Sequence, residues 1–130
     1  GHVGDSRAYL LRSGQLQILT RDHSFVQTLA DAGVLTPEQA AAHKLRNVIL
    51  RSLGGSTGTP DMHSLLLQSG DQLMLCTDGL NEMVAEPAMS EIMQAAPTAQ
   101  AACDELLAAA LDAGGKDNVT VVLARYGWKT

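Results

Sequence analysis

Aromatic residues are scarce: one Trp, two Tyr and one Phe in 130 residues. The interior must then be filled by Ala, Leu, Val, Ile and Met, through many small contacts rather than a few large rings. Cysteine is nearly absent as well. Cys76 lies in a strand-like run and Cys103 in a helix-like one, and no Cys-x-x-Cys pair points to zinc or redox chemistry. Both read as small buried hydrophobes rather than as a disulfide. No stretch approaches the roughly 18 apolar residues of a membrane span, and no charged segment followed by an apolar one opens the chain. A cytoplasmic location is the default expectation, although a chain that opens on Gly1 leaves targeting information upstream open. Long basic runs are also missing, and the net charge of −5 argues against nucleic acid as a partner.

What remains is the composition of one globular domain with an ordinary apolar fraction. From His2 to Leu19 the alternation predicts a hairpin, with Ser13-Gly14 as its turn. Ser24 and Gln27 have capping spacing for a short helix from about Phe25 to Ala32, which Gly33 can end. Thr36-Pro37-Glu38-Gln39 repeats the pattern for a second short helix ending near His43. The segment Arg46–Leu53 suits no stable exposed helix and runs into the loop-like Gly54–Gly58. Strands are expected over Met62–Leu67 and Gln72–Thr77, joined by a Ser69-Gly70-Asp71 turn. A helix opening at Pro87, a longer one carrying Ala99, Ala102, Cys103, Leu106 and Ala110 on one face, and a last strand over Val119–Tyr126 complete the reading. The expected class is α+β, with mainly antiparallel sheets packed against α-helices.

Three acidic turns stand out. Asp78 ends the apolar run Leu73–Thr77 and is followed by Gly79; Asp117 sits in Gly-Gly-Lys-Asp-Asn just before Val119; Asp5 lies in Gly4-Asp5-Ser6. Carboxylates at strand ends beside glycine suit hard divalent cations, because oxygen ligands match Mg²⁺ and Mn²⁺ and glycine permits close approach. Such ions lower the pKa of a bound water and neutralise a phosphoryl group under attack. Each motif alone is also an ordinary turn sequence. The working expectation is that the three carboxylates converge on metal.

Five blocks in order carry a resemblance: Gly4-Asp5-Ser6-Arg7-Ala8-Tyr9; Leu19-Thr20-Arg21-Asp22-His23-Ser24; Arg46–Gly54; Gly70-Asp71 with Leu75–Leu80; and Lys116–Thr120. Together they resemble the metal-dependent Ser/Thr protein phosphatase (PPM, type 2C) family, bacterial type, over essentially the whole chain. The resemblance implies a partial α-β-β-α sandwich and hydrolysis of phosphoserine and phosphothreonine in proteins by a metal-activated water, opposing a Ser/Thr kinase. It implies Mn²⁺ or Mg²⁺, two ions or three in a complete domain, with Asp78 and Asp117 as ligands and Asp5 helping to hold a third. The segment from about His23 to Leu53 resembles the mobile flap beside the active site. For Arg46 and Arg51 in or beside it, attraction of a phosphopeptide stands against a packing or surface salt-bridge role.

The family also carries an Asp-Gly-x-Gly-Gly block with a metal-bridging Asp, a phosphate-contacting Arg and a His proposed as general acid, and none of these occurs here. The chain therefore resembles the C-terminal half, residues 1–130, of a phosphatase domain, with no catalytic residue assigned in it. The expectation is an incomplete metal site, weak or absent hydrolysis by the piece alone, and an exposed edge that favours a dimer or strand exchange. A competing reading is a non-catalytic phosphatase-like binding or regulatory module.

Overall fold

The computed structural model describes residues 1–127, which fall into two compact units. One comprises residues 6–20 and the chain from Ser64 onward; the other comprises Gly1–Asp5 and Arg21–His63.

The first unit is a four-stranded antiparallel sheet of order β2-β1-β3-β4, built from β1 (Arg7–Arg12), β2 (Gln15–Ile18), β3 (Gln72–Cys76) and β4 (Val121–Arg125). Ser13 and Gly14 both have positive φ, 51° and 79°, the twist that a two-residue hairpin connection between β1 and β2 requires. Register places Tyr9 opposite Met74 and Met74 opposite Leu123, with Leu11 and Cys76 on the same face. That face packs with residues of three helices, α3 (Asp78–Asn81), α4 (Glu86–Ala95) and α5 (Ala99–Asp112), in a core holding Leu80, Met89, Met93, Leu106 and Ala110. The scarcity of rings makes methionine the filler: Met74, Met89 and Met93 are all fully buried, and Tyr9 is the one aromatic ring among the core residues. On the opposite face, the row Ala8, Leu75 and Val122 leaves Leu75 and Val122 about half exposed.

The second unit carries two short helices in its Arg21–His63 stretch, α1 (Phe25–Asp31) and α2 (Pro37–Ala42). Ser24 caps α1 by accepting from the Gln27 N–H. Thr36 caps α2 in a full capping box, its hydroxyl accepting from Gln39 N–H while the Gln39 side chain accepts from Thr36 N–H. Beyond α2 this unit is largely irregular, as the mixed apolar and basic Arg46–Leu53 suggests.

The α+β class and the antiparallel pairing expected from sequence are both present. Two local expectations are corrected. Residues 62–67 form no strand: both edges of β3 are taken, by β1 and β4, so the segment leading into β3 cannot pair back onto it as a hairpin, and Met62 and Leu66 stay exposed. The hairpin begins at Arg7 rather than His2, which makes only an isolated bridge to Asp61.

Candidate metal centre and the His23 network

Asp78 stands where β3 ends and α3 begins, so its position is set by a strand terminus. Thr77, at the N-cap position of α3, makes no side-chain cap bond; its hydroxyl is committed across the chain. It donates to the Asn118 carbonyl at 3.3 Å and accepts from Thr120 N–H at 3.0 Å, while Thr77 N–H donates to the Thr120 carbonyl at 3.1 Å. Gly79 completes the seam. A Cβ built on it would lie 2.3 Å from the Asn118 carbonyl oxygen, a distance real atoms do not tolerate, so only glycine allows this approach. The turn carrying Asp117, whose carboxylate accepts from Asn118 N–H at 2.7 Å, is thereby fastened to the turn carrying Asp78. The Asp78 and Asp117 motifs, 39 positions apart in number, thus belong to one laced pair of turns within the sheet unit.

Asp5 lies in the other unit, directly after Gly4, whose φ of +106° is a glycine conformation. Arg46 is partly buried in that same unit. Arg51 donates to the Asp61 carboxylate at 3.1 Å, the ion-pair role weighed for it from sequence.

Sequence reasoning missed what surrounds Arg51. His23, just before the capping Ser24, is buried at 8% exposure and holds several chain segments. Its backbone N–H donates to the Gly4 carbonyl at 2.9 Å and its Nδ1 accepts from Gly4 N–H at 3.1 Å. An accepting Nδ1 on a neutral ring leaves the proton on Nε2, which faces Asp61 Oδ2 at 2.8 Å. That hydrogen bond, and then the Arg51 guanidinium, hold the Asp61 carboxyl below its ordinary range. The His2 ring lies against His23, centroids 4.9 Å apart, and His2 and Asp61 exchange backbone hydrogen bonds of 2.8 and 2.9 Å.

His2, His23 and Asp61 offer ligand atoms within 4.8 Å of one another, a spacing at which one divalent cation could be held. A cation there would have to displace the Nε2 proton of His23 and sit beside the Arg51 guanidinium, so the arrangement as it stands is a hydrogen-bond network with an ion as its alternative occupant. At the Asp78–Asp117 seam it is the missing Cβ of Gly79 that lets the two acidic turns come together.

An antiparallel sheet backed by helices, with two acidic turns fastened together beside it, defines an α+β protein of layered architecture. Residues 9–127 match the family described as Stage II sporulation protein E (SpoIIE). The serine/threonine protein phosphatase PstP of Mycobacterium tuberculosis is 45% identical over 123 residues, covering 95% of this chain and 24% of that protein. The crystal structure of that organism's PstP/Ppp superposes with a TM-score of 0.92 at 42% identity, covering 98% of this chain and 54% of that one. A structure of the PstP catalytic domain in complex with two manganese ions gives a TM-score of 0.83 at 42% identity, covering 94% of this chain and 50% of that one. The chain belongs to the bacterial PPM-type Ser/Thr protein phosphatases. It spans about a quarter of the curated relative's length and about half of the solved chains.

Among the described residues no helix is long and apolar enough to cross a membrane. Neither Cys76 nor Cys103 is in a disulfide, as expected; Cys76 is buried, whereas Cys103 is only partly so.

Proposed function

We propose that this chain supplies part of the catalytic domain of a metal-dependent protein phosphatase acting on phosphoserine and phosphothreonine in proteins, in opposition to a Ser/Thr kinase. The observation that carries the proposal is the fastening of the Asp78 turn to the Asp117 turn through Thr77, Gly79 and Asn118. Asp78 and Asp117 are the proposed ligands of Mn²⁺ or Mg²⁺, and Asp5 the proposed ligand of a further ion. When bound, such ions supply an acidified water and charge neutralisation for an in-line attack on a phosphoryl group.

The chain's own contribution is positional. Thr77 uses its hydroxyl to hold the second turn, and Gly79 keeps backbone rather than side chain in the gap, so the two acidic turns are fastened to each other. No residue here is assigned as a proton donor to the leaving group. A chain of about half the length of the solved relatives leaves part of the charge of two cations uncompensated, so weak metal binding and little or no hydrolysis are expected of it alone.

Calorimetric titration with Mn²⁺ tests the ligand assignment. Heat of binding in the chain that is lost in both Asp78→Asn and Asp117→Asn supports it; equal heats in all three overturn it. The half-exposed Leu75 and Val122 support self-association of the chain through the uncovered sheet face. A monomer by light scattering at high concentration refutes that part.

A further inference from the structure

We propose that Arg51, Asp61 and His23 form a positioning relay whose end point is Gly4, held by His23 at both of its flanking peptides, and that this relay sets the Asp5 carboxylate for metal. The inference rests on the proposed role of Asp5 as a ligand. It adds three residues that no acidic-turn motif contains.

The geometry is specific to histidine. Gly4 directs both its backbone polar groups at one residue, N–H to His23 Nδ1 and carbonyl to His23 N–H. The carbonyl bond fixes the Gly4–Asp5 peptide and the ring bond fixes the Val3–Gly4 peptide before it, in a turn that the Gly4 φ of +106° makes sharp. On the far side of the ring, Nε2–H meets Asp61, and Arg51 holds the other Asp61 oxygen. A side chain that accepts on one edge and donates on the opposite edge is needed, and neutral imidazole does both across the width of its ring, whereas the Asn and Gln amides carry the two groups on one small head. Each link restrains the next: Arg51 orients the carboxylate, the carboxylate selects the ring tautomer, and the tautomer keeps an acceptor in front of Gly4.

The backbone supports the same reading. The His23 carbonyl accepts from Leu50 N–H at 2.7 Å, one residue before Arg51, and Phe25 N–H donates to the Val48 carbonyl at 2.9 Å. Asp61 is anchored by its paired backbone bonds to His2, three residues before Asp5. The chain near Gly4 is therefore tied to both ends of the relay, and the segment is not held by Gly4 alone. The packing of His2 against the His23 ring restrains the ring's tilt.

Substitutions separate the links. Asn at 23 can keep an acceptor for Gly4 but cannot reach Asp61, whereas Gln at 23 can reach Asp61 but loses the acceptor for Gly4. Asn at 61 keeps the shape but cannot accept from His23 and Arg51 with both its polar atoms. The test uses the whole chain with Mn²⁺ as the probe, in wild type, Asp5→Asn, Asp61→Asn, His23→Asn and His23→Gln, together with amide exchange at Gly4 and ¹⁵N shifts of the His23 ring. Expected are an Nε2–H tautomer in wild type, faster Gly4 exchange in His23→Gln than in His23→Asn, and about 10–100-fold weaker Mn²⁺ binding at the Asp5-dependent site in Asp61→Asn. If Asp5→Asn weakens Mn²⁺ binding while Asp61→Asn and His23→Gln leave it unchanged, the relay is overturned and the ligand assignment stands. If Asp5→Asn changes nothing, the ligand assignment fails, and the relay to metal fails with it. Binding that is lost in Asp61→Asn but kept in Asp5→Asn places the ion at His2, His23 and Asp61 and overturns both.

Discussion

Gly79 and Asn118 approach so closely that a single methyl group does not fit between them: a Cβ at 79 would stand 2.3 Å from the Asn118 carbonyl oxygen and 3.3 Å from a Val119 methyl. The first of these neighbours is backbone, so nothing can swing aside.

Gly79→Ala therefore forces the two turns apart. Overpacking of this kind costs about 1–3 kcal/mol, and the loss should appear as a lowered thermal midpoint together with reduced Mn²⁺ heat. A variant that melts like wild type and binds Mn²⁺ equally would show that the turns do not need this contact.

A second prediction concerns pH and a buried ion pair far along the sheet from that seam. Asp71 is 2% exposed, accepts from Arg12 at 2.6 and 2.9 Å and from Gln68 N–H at 2.7 Å, and its carboxyl is pushed down to about 2, first by Arg12 and then by that backbone bond. A carboxyl depressed on folding stabilises the protein fully above its ordinary value of 3.8, and the gain disappears as pH falls through about 2. Denaturation midpoints should drop over that interval in wild type and stay flatter in Asp71→Asn. Matching slopes for the two would refute the pair's role.

Arg12→Met is expected to be worse than Asp71→Asn at neutral pH, because it strands a buried carboxylate instead of removing one. The comparison is between two thermal midpoints, and the reverse order would contradict it.

The capping box of α2 gives a local prediction. Thr36→Ala should cost about 1 kcal/mol, but α2 has no buried residue, so the loss ought to show as faster amide exchange over residues 38–42 with little change in the global melt. A fall of the global midpoint without local exchange would mean that α2 is coupled to the core.

How much of the fold and site was legible depends on how local each signal is. Ser13-Gly14, Thr36-Pro37-Glu38-Gln39 and the apolar face of α5 were readable because turn chemistry, capping and helical spacing act within a few residues. The strand expected over Met62–Leu67 failed for a non-local reason, since the edges of β3 were already occupied by partners distant in sequence. Asp78 and Asp117 were legible as acidic turns, yet the role of Thr77 was not: a Thr at a helix start reads as a cap, and only the fold shows its hydroxyl spent on Asn118 and Thr120. His23 was missed for a similar reason. Its neighbours Ser24 and Asp22 suggest a helix beginning, while its true partners, Gly4 and Asp61, are 19 and 38 positions away. Asp71 looked like a turn residue, and nothing nearby in sequence points to Arg12, 59 positions off.

The strand order β2-β1-β3-β4 has a kinetic corollary. The two central strands meet only after the intervening stretch of chain has been looped out, whereas β1 with β2 needs only its two-residue turn. Closing a loop costs free energy that grows only with the logarithm of its length, so lengthening or shortening the excursion between β2 and β3 should alter the folding rate mildly and leave the sheet's register untouched. That insulation lets the excursion diversify in sequence and size while the sheet stays the same.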